Sequence, residues 1–217
     1  MDDLRERLAH VLWIGGGPHA GKTTLSRLLA GKYDLKIYNL DWHHDRDHRR
    51  RAGSKPGDRD ESMDERWLHP APDALARRDI ASWTALSGPV IEDLLGLPTG
   101  RPIVAEGPTA FPWWVAPLLR EARQAIWLLP TREVHDAVLT RRYRDDPSGS
   151  SAAKTSDPVR AGRNIVERNE LMAARIAASC EQLGLRSVRV DGSLDLDDTL
   201  ALIEEHFRPH LPIMPNV

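Results

Sequence analysis

A glycine-rich segment near the start of the chain carries the most specific chemical signal in the sequence. Gly16 and Gly21 are separated by four residues and are followed directly by Lys22 and Thr23, which matches the Walker A pattern. In such a loop the backbone N–H groups turn toward phosphate oxygens, the lysine ammonium reaches the β- and γ-phosphates, and the threonine hydroxyl binds Mg²⁺. The expected phosphate contacts are Gly16, Gly17, Pro18, His19, Ala20, Gly21, Lys22, Thr23 and Thr24.

The elements on either side of this loop are those that the pattern requires. An apolar run over residues 11–14 predicts a buried strand, and residues 24–29 predict the start of a helix whose positive dipole end faces the phosphates. Further strands are predicted at 36–40, 102–105, 124–129 and 187–190, with helical segments at 4–9, 64–68, 73–86, 90–95, 132–144, 164–183 and 196–207. Alternating strands and helices indicate an α/β fold with a parallel sheet, and ligands bind at the carboxyl edge of such a sheet.

Three carboxylates, those of Asp41, Glu106 and Asp191, lie at the ends of predicted strands and should therefore reach that edge. Asp41 comes after the second strand, where it could accept the proton of an attacking hydroxyl group and so act in catalysis beside Lys22. The alternative for Asp41 is an N-cap of a helix that begins near Trp42. Glu106 ends the third strand, where it could orient Mg²⁺ together with Thr23 and contact the acceptor; the alternative is an ordinary residue at the end of a strand.

A cluster of arginines precedes a segment without periodicity. Arg141, Arg142 and Arg144 lie near the end of the helix predicted at 132–144, and residues 145–157 are small and polar, which predicts a flexible loop. We expect a lid over residues 141–163, with Arg141 and Arg144 acting on the transferred phosphoryl group and Arg142 on the nucleotide. The alternative is a set of solvated cations that are favoured at a helix carboxyl terminus.

The region between residues 42 and 100 is the expected acceptor-binding insertion. The candidate acceptor contacts are Asp41, His44, Arg66, Trp67, Glu106, Trp113 and Trp114. Aromatic walls suit a ring-bearing or semi-apolar acceptor, although core packing is the alternative for each tryptophan. His43, His44 and His48 alternate with aspartates, which leaves open a zinc site, but a polar and partly solvated substrate region accounts for the same residues.

Composition limits the remaining choices. With 217 residues the chain suits one domain, with its core at 1–41 and 101–217, and the net charge of −2 gives no general attraction to nucleic acid or membranes. Cys180 is the only cysteine, which excludes an intramolecular disulfide and fits a reducing cytoplasm. No apolar run reaches the length of a membrane span, and the charged first ten residues lack the apolar stretch of a secretory signal. We expect a soluble cytoplasmic protein, monomeric or homodimeric, that binds a small molecule.

The chain resembles the P-loop small-molecule kinases, which include nucleoside, nucleotide, shikimate and gluconate kinases and chloramphenicol phosphotransferase. The resemblance rests on GGPHAGKTT at 16–24, NLD at 39–41, IVAEG at 103–107, RRYRDD at 141–146 and VDGS at 190–193. The Glu-Gly pair and the lid look most like uridine kinase and its relatives. The chain is also similar to bacterial AAA-type ATPases of the same size that have no assigned substrate.

This resemblance implies a P-loop NTPase sheet with the strand order 2-3-1-4-5 and gives Asp41 the role of the base. It also places adenine near residues 191–194, so that Gly192 and Ser193 become nucleotide contacts. The expected activity is transfer of the γ-phosphoryl group of ATP, with Mg²⁺, to a hydroxyl group of a nucleoside, a sugar-like metabolite or an antibiotic. The alternative is a regulatory module that binds nucleotide without catalysis. A GTPase is disfavoured because the sequence contains no Asn-Lys-x-Asp segment.

Overall fold

A five-stranded parallel sheet forms the centre of the computed structural model, which describes residues 2–51, 53, 61–144 and 146–213. Its strands are β1 (Val11–Gly16), β2 (Lys36–Asn39), β3 (Ile103–Glu106), β4 (Ala125–Pro130) and β5 (Arg186–Val190). They lie in the order β2-β3-β1-β4-β5, with Val11 beside Ile103 and Trp13 beside Ala125. The predicted α/β class and strand order are therefore confirmed.

Helices cover both faces of the sheet. They are α1 (Asp2–Arg7), α2 (Lys22–Tyr33), α3 (Leu40–His43), α4 (Arg49–Arg51), α5 (Met63–Trp67), α6 (Pro72–Thr84), α7 (Ser87–Gly96), α8 (Pro112–Val115), α9 (Arg132–Arg142), α10 (Pro158–Gln182) and α11 (Leu196–Phe207). A π-helix occupies His44–His48 between α3 and α4, and 3₁₀ turns occupy Ala116–Leu118, Ala122–Gln124, Pro147–Gly149, Ala152–Lys154 and Arg208–His210. In the part of the chain that the structure describes, no helix combines the length and apolar character needed to cross a membrane.

The alternation of side chains along β1 divides the core into two layers. Leu12 and Ile14 pack on the face that α2 and α11 cover, while Val11 and Trp13 pack on the face of α6, α7, α8 and α10. Trp127 and Cys180 are fully buried on the second face. Helices on both sides hold the carboxyl ends of the central strands rigidly at one edge.

The chain after β2 differs from its sequence prediction. The strand ends at Asn39, whose side chain accepts the Trp42 backbone N–H and caps α3, so Asp41 lies in the first turn of a helix. From residue 40 to residue 51 the chain is helical, although no helix was predicted there. Residues 52 and 54–60 of the predicted insertion lie outside the described residues.

The segment predicted as a flexible loop at 145–157 contains two 3₁₀ turns and contacts α5, and its first residue, Asp145, lies outside the described part of the chain. Ala152 is buried against Leu68 and Ala161, and Ser156 donates its backbone N–H and its hydroxyl hydrogen to Asp64. The following helix begins at Pro158, six residues earlier than predicted, because Asp157 caps it by accepting the Arg160 N–H. The small and polar composition of residues 145–157 gave no indication of these contacts, which are formed with a helix distant in the sequence.

Candidate active site

The turn between β1 and α2 has the backbone of an anion-binding loop. Gly16, His19 and Gly21 have φ angles of 116°, 65° and 78°, which glycine adopts most easily. A Cβ atom at Gly16 would collide with the Leu128 carbonyl of β4, so close approach also requires glycine there. Gly21 leads directly into α2, whose first N–H groups and positive dipole end face an anion at the loop. The predicted phosphate loop is thus present as a local structure.

Lys22 is the first residue of α2, and its side chain is buried against this loop. Its Nζ atom donates a hydrogen bond to the Gly17 carbonyl over 2.7 Å. Burial lowers the pKa of the ammonium, while the Asp41 and Glu106 carboxylates act in the opposite direction and favour its charge. The loop, the ammonium and two carboxylates therefore interact electrostatically at the sheet edge.

A buried hydrogen-bond network joins the ends of β2 and β3 to α2. Glu106 is 1% exposed, and its Oε1 atom accepts the Thr23 hydroxyl hydrogen over 3.0 Å and an N–H of the Asn39 amide. Gly107 has a φ of 155°, and a Cβ atom there would lie 2.8 Å from the Leu40 Cβ, so the glycine lets α3 approach β3. Sequence reasoning missed Asn39, although an asparagine before a helix start is a recognisable capping signal.

These elements border one cleft of about 990 Å³. Its walls come from the phosphate loop, Asp41 of α3, Pro108 after β3, Arg141 and Arg142 of α9, and the segment from Val190 to Thr199. The volume is that of a ligand pocket. The side-chain oxygens of Thr23 and Glu106 are the kind of metal ligand that Mg²⁺ prefers. The loop backbone, the lysine and these oxygens fit a nucleoside triphosphate with Mg²⁺.

The predicted lid and nucleotide residues divide into two groups. Arg141, Arg142 and Gly192 line the cleft, whereas Arg144 and Ser193 do not. Helix α9 ends at Arg142, which leaves Arg144 exposed beyond its carboxyl terminus, and the Ser193 N–H donates to Asp191 Oδ1 within its own turn. The expectation of direct roles for Arg144 and Ser193 is not supported by these positions.

Among the predicted acceptor contacts, Asp41 lines the cleft and Glu106 lies behind it, bonded to Thr23. The two tryptophans after β3 pack elsewhere. Trp114 is 9% exposed, donates its indole N–H to the Thr109 carbonyl and meets the Trp13 ring edge-on at 5.4 Å. Trp113 stacks on Phe111 at 4.4 Å. Trp114 is thus buried and Trp113 partly buried, and the structure places neither at the cleft, where both were predicted to contact the acceptor.

The other three predicted acceptor contacts do not line the cleft either. Trp67 packs beside the Leu68, Ala152 and Ala161 cluster, and the Arg66 guanidinium lies 5.2 Å from its ring centre. His44 is the first residue of the π-helix. The structure therefore brings the phosphate loop, Asp41 and two lid arginines together, and it does not gather these predicted side chains into an acceptor pocket.

The sequence did not predict that His19 of the phosphate loop contacts a second histidine on α9. The His19 ring meets the His135 ring of α9 edge-on at 4.6 Å, and His135 Nε2 lies 2.7 Å from the Asn169 side-chain nitrogen on α10. Burial lowers the pKa of His19 to about 4, and the neighbouring His135, Arg142 and Lys22 act in the same direction. The loop thus contacts α9 through His19, and His135 in turn joins α9 to α10.

Comparison with known proteins finds similar structures but no matching sequence. No protein-family model and no curated protein sequence matches the chain. The fold is similar to that of an uncharacterized protein from Eubacterium ventriosum, at 12% identity over 92% of this chain and 98% of that chain, with a TM-score of 0.45. It is also similar to shikimate kinase from Acinetobacter baumannii in complex with shikimate, at 13% identity over 93% and 95% of the two chains, with a TM-score of 0.43.

The class of the protein follows from its own topology and loop. An all-parallel sheet in the order β2-β3-β1-β4-β5, with a Walker A turn between β1 and α2, is an α/β P-loop fold.

Proposed function

We propose that the chain is an ATP-dependent phosphotransferase that acts on a hydroxyl group of a small molecule. The observation that carries this proposal is that the Asp41 carboxylate lines the same cleft as the phosphate loop and Lys22. A protein that only binds nucleotide needs no proton acceptor at its phosphate site, whereas a kinase needs one to receive the proton of the acceptor hydroxyl group. Bound MgATP supplies the phosphoryl group.

The surroundings of Asp41 suit a general base. Asn39 caps α3, and Asp41 lies in the first turn of that helix, where it lines the cleft. Lys22, Arg141 and Arg142 border the same space, where their positive charge would neutralise charge that develops on the transferred group. Thr23 and Glu106 would hold Mg²⁺ or its water shell at the opposite side of the loop.

An exposed aromatic side chain next to Asp41 in the sequence bears on the class of acceptor. The Trp42 side chain follows directly in α3 and is 61% exposed, unlike Trp113 and Trp114. An exposed indole favours a ring-bearing or semi-apolar acceptor, which it could stack against. Nucleosides, sugar-like metabolites and antibiotics with a free hydroxyl group fit this description.

The test begins with γ-labelled ATP and pools of nucleosides, sugars and aminoglycoside or nucleoside antibiotics. With the acceptor found, Asp41→Asn is compared with Asp73→Asn, because Asp73 is the second residue of α6 just as Asp41 is the second residue of α3. We expect kcat to fall about 10²–10⁴-fold in Asp41→Asn, the usual contribution of a general base. ATP affinity measured by calorimetry should stay unchanged, and Asp73→Asn should match the wild type.

Two results would contradict the proposal. ATP binding without phosphorylation of any pool would favour the non-catalytic nucleotide-binding module. Turnover by Asp41→Asn within a few-fold of wild type would exclude Asp41 as the base and move the role to Glu106 or to Asp45, whose side chain lies outside the described residues.

A further inference from the structure

Two histidines and an aspartate converge on the side of β2 away from the phosphate loop. His43 ends α3, His48 ends the π-helix and Asp93 lies in α7. One ligand atom from each of the three lies within 4.8 Å of the other two. None of these residues lines the phosphate cleft, and His43 and Asp93 border a separate groove of about 720 Å³.

The π-helix brings the two histidines together. Residues five apart lie about 140° apart around an α-helix and come much closer to alignment in a π-helix, whose hydrogen bonds join residue i to i+5. The His43 and His48 rings are accordingly stacked, with centres 5.5 Å apart and planes 20° apart. Isolated π turns are rare and occur frequently at functional sites.

Neighbouring side chains hold the ligand atoms in place. The Tyr38 ring stacks on His43 at 4.4 Å, and its hydroxyl donates to Asp93 Oδ2 over 2.7 Å. His48 is 1% exposed, and its Nε2 lies 2.8 Å from the same Asp93 oxygen. Arg51 donates to the other oxygen, Oδ1. The carboxylate is thus oriented from both sides, as an outer shell orients a metal ligand.

We propose that His43, His48 and Asp93 form a zinc site, with its fourth position open to the groove. Two imidazoles and one carboxylate suit Zn²⁺, whereas Mg²⁺ prefers oxygen ligands alone. The ion would replace the hydrogen bond between His48 Nε2 and Asp93 Oδ2, and their separation would widen from 2.8 Å. Tetrahedral zinc with ordinary bond lengths places two such ligands roughly 3.3 Å apart. The three ligand atoms, now within 4.8 Å of one another, would adjust to that spacing, and the contact between His48 Nε2 and the Tyr38 hydroxyl at 3.0 Å would also be replaced.

The bound ion would tie α3 and the π-helix to α7. Since α3 also carries Asp41, zinc would fix the helix that bears the proposed base without touching the phosphate site. The inference rests on the three side chains alone and does not depend on the proposed phosphotransfer.

The experiment uses the full chain after removal of metal with a chelator. Zn²⁺ is titrated by calorimetry in excess Mg²⁺, so that oxygen-rich sites are occupied, and Co²⁺ is titrated in parallel to record its visible absorption. His43→Ala, at a partly exposed position, and Asp93→Asn each remove one ligand, while His69→Ala removes an exposed histidine outside the cluster. Circular dichroism verifies that each variant is folded.

We expect one Zn²⁺ per chain, a Co²⁺ spectrum of a four-coordinate site, and affinity for zinc at least about tenfold weaker in both ligand variants. His69→Ala should bind as the wild type does. The proposal is overturned if the wild type binds no stoichiometric zinc, or if folded His43→Ala binds it as tightly as the wild type.

Discussion

Thr23 donates its hydroxyl hydrogen to Glu106 Oε1 over 3.0 Å, although 83 positions separate the two residues in the chain. The bond joins the first turn of α2 to the end of β3 and fixes the threonine rotamer beside the phosphate loop. Asn39 donates to the same carboxylate oxygen, so the ends of three elements meet at one buried group. Because Thr23 donates its hydroxyl hydrogen to Glu106, the lone pairs of the Thr23 oxygen remain available to coordinate a cation.

Removing the Thr23 hydroxyl group should raise the Mg²⁺ concentration that activity requires. In Thr23→Val the shape is kept and the oxygen is lost, so we expect the Mg²⁺ concentration for half-maximal activity to rise at least about tenfold. Thr23→Ser retains the hydroxyl and serves as the matched control. Activity is measured across a Mg²⁺ titration at saturating ATP. Equal Mg²⁺ dependence in Thr23→Val and Thr23→Ser would show that the hydroxyl has no part in cation binding.

Lys22→Ala should abolish turnover and weaken ATP binding, because Lys22 places its ammonium at the loop and no other described lysine lines the cleft. Lys32→Ala, in the same helix but paired with Glu204 on the surface, is the control. Coupled release of ADP and calorimetric binding of ATP are measured on both variants. Undiminished phosphotransfer by Lys22→Ala would contradict the proposal that the loop and Lys22 bind the phosphates of ATP for transfer.

The contact between Ser156 and Asp64 should control the exposure of the lid segment. Two hydrogen bonds to one carboxylate hold residues 152–156 against α5, and they also hold the pKa of Asp64 below its usual value. In Asp64→Ala we expect amide hydrogen exchange in this segment to rise about tenfold or more, with exchange in β5 unchanged. An ATP analogue should restore part of the protection. Identical exchange in the two proteins would mean that the buried Ala152 alone keeps the segment in place.

His19 should make stability depend on pH in the acid range. Its pKa is lowered from 6.5 to about 4 in the folded chain, first by burial and then by His135, Arg142 and Lys22. The unfolded chain therefore binds more protons between these pH values, and the free energy of unfolding falls as pH decreases from 6.5 toward about 4.

His19→Asn tests this dependence, because asparagine tolerates the positive φ of 65° at this position. Urea unfolding at several pH values should show a smaller loss of stability on acidification in His19→Asn than in the wild type. His69→Asn, at an exposed position, is the control and should keep the wild-type dependence. A slope in His19→Asn equal to that of the wild type would assign the acid sensitivity to other buried groups.

The phosphate loop and the sheet could be predicted from sequence because their signals are local. Gly16, Gly21, Lys22 and Thr23 are contiguous or nearly so, and each has a backbone or chemical role that few other residue types can fill. The central strands β1 and β3 are short apolar runs buried on both faces, a pattern that is visible without any knowledge of neighbours, whereas the edge strands β2 and β5 are partly exposed. The five strands were found close to their observed ends, whereas the long helix α10 begins six residues before its predicted start.

Tertiary structure alone decided which distant side chains meet. Trp113 and Trp114 were expected at the acceptor, but Trp113 donates its indole N–H to Thr84 and Trp114 packs edge-on against Trp13. Asp93 approaches His48 across 45 positions, and Ser156 approaches Asp64 across 92. A local pattern records the preferences of neighbouring residues, but pairs so far apart in the chain are selected by the packing of whole helices on the sheet.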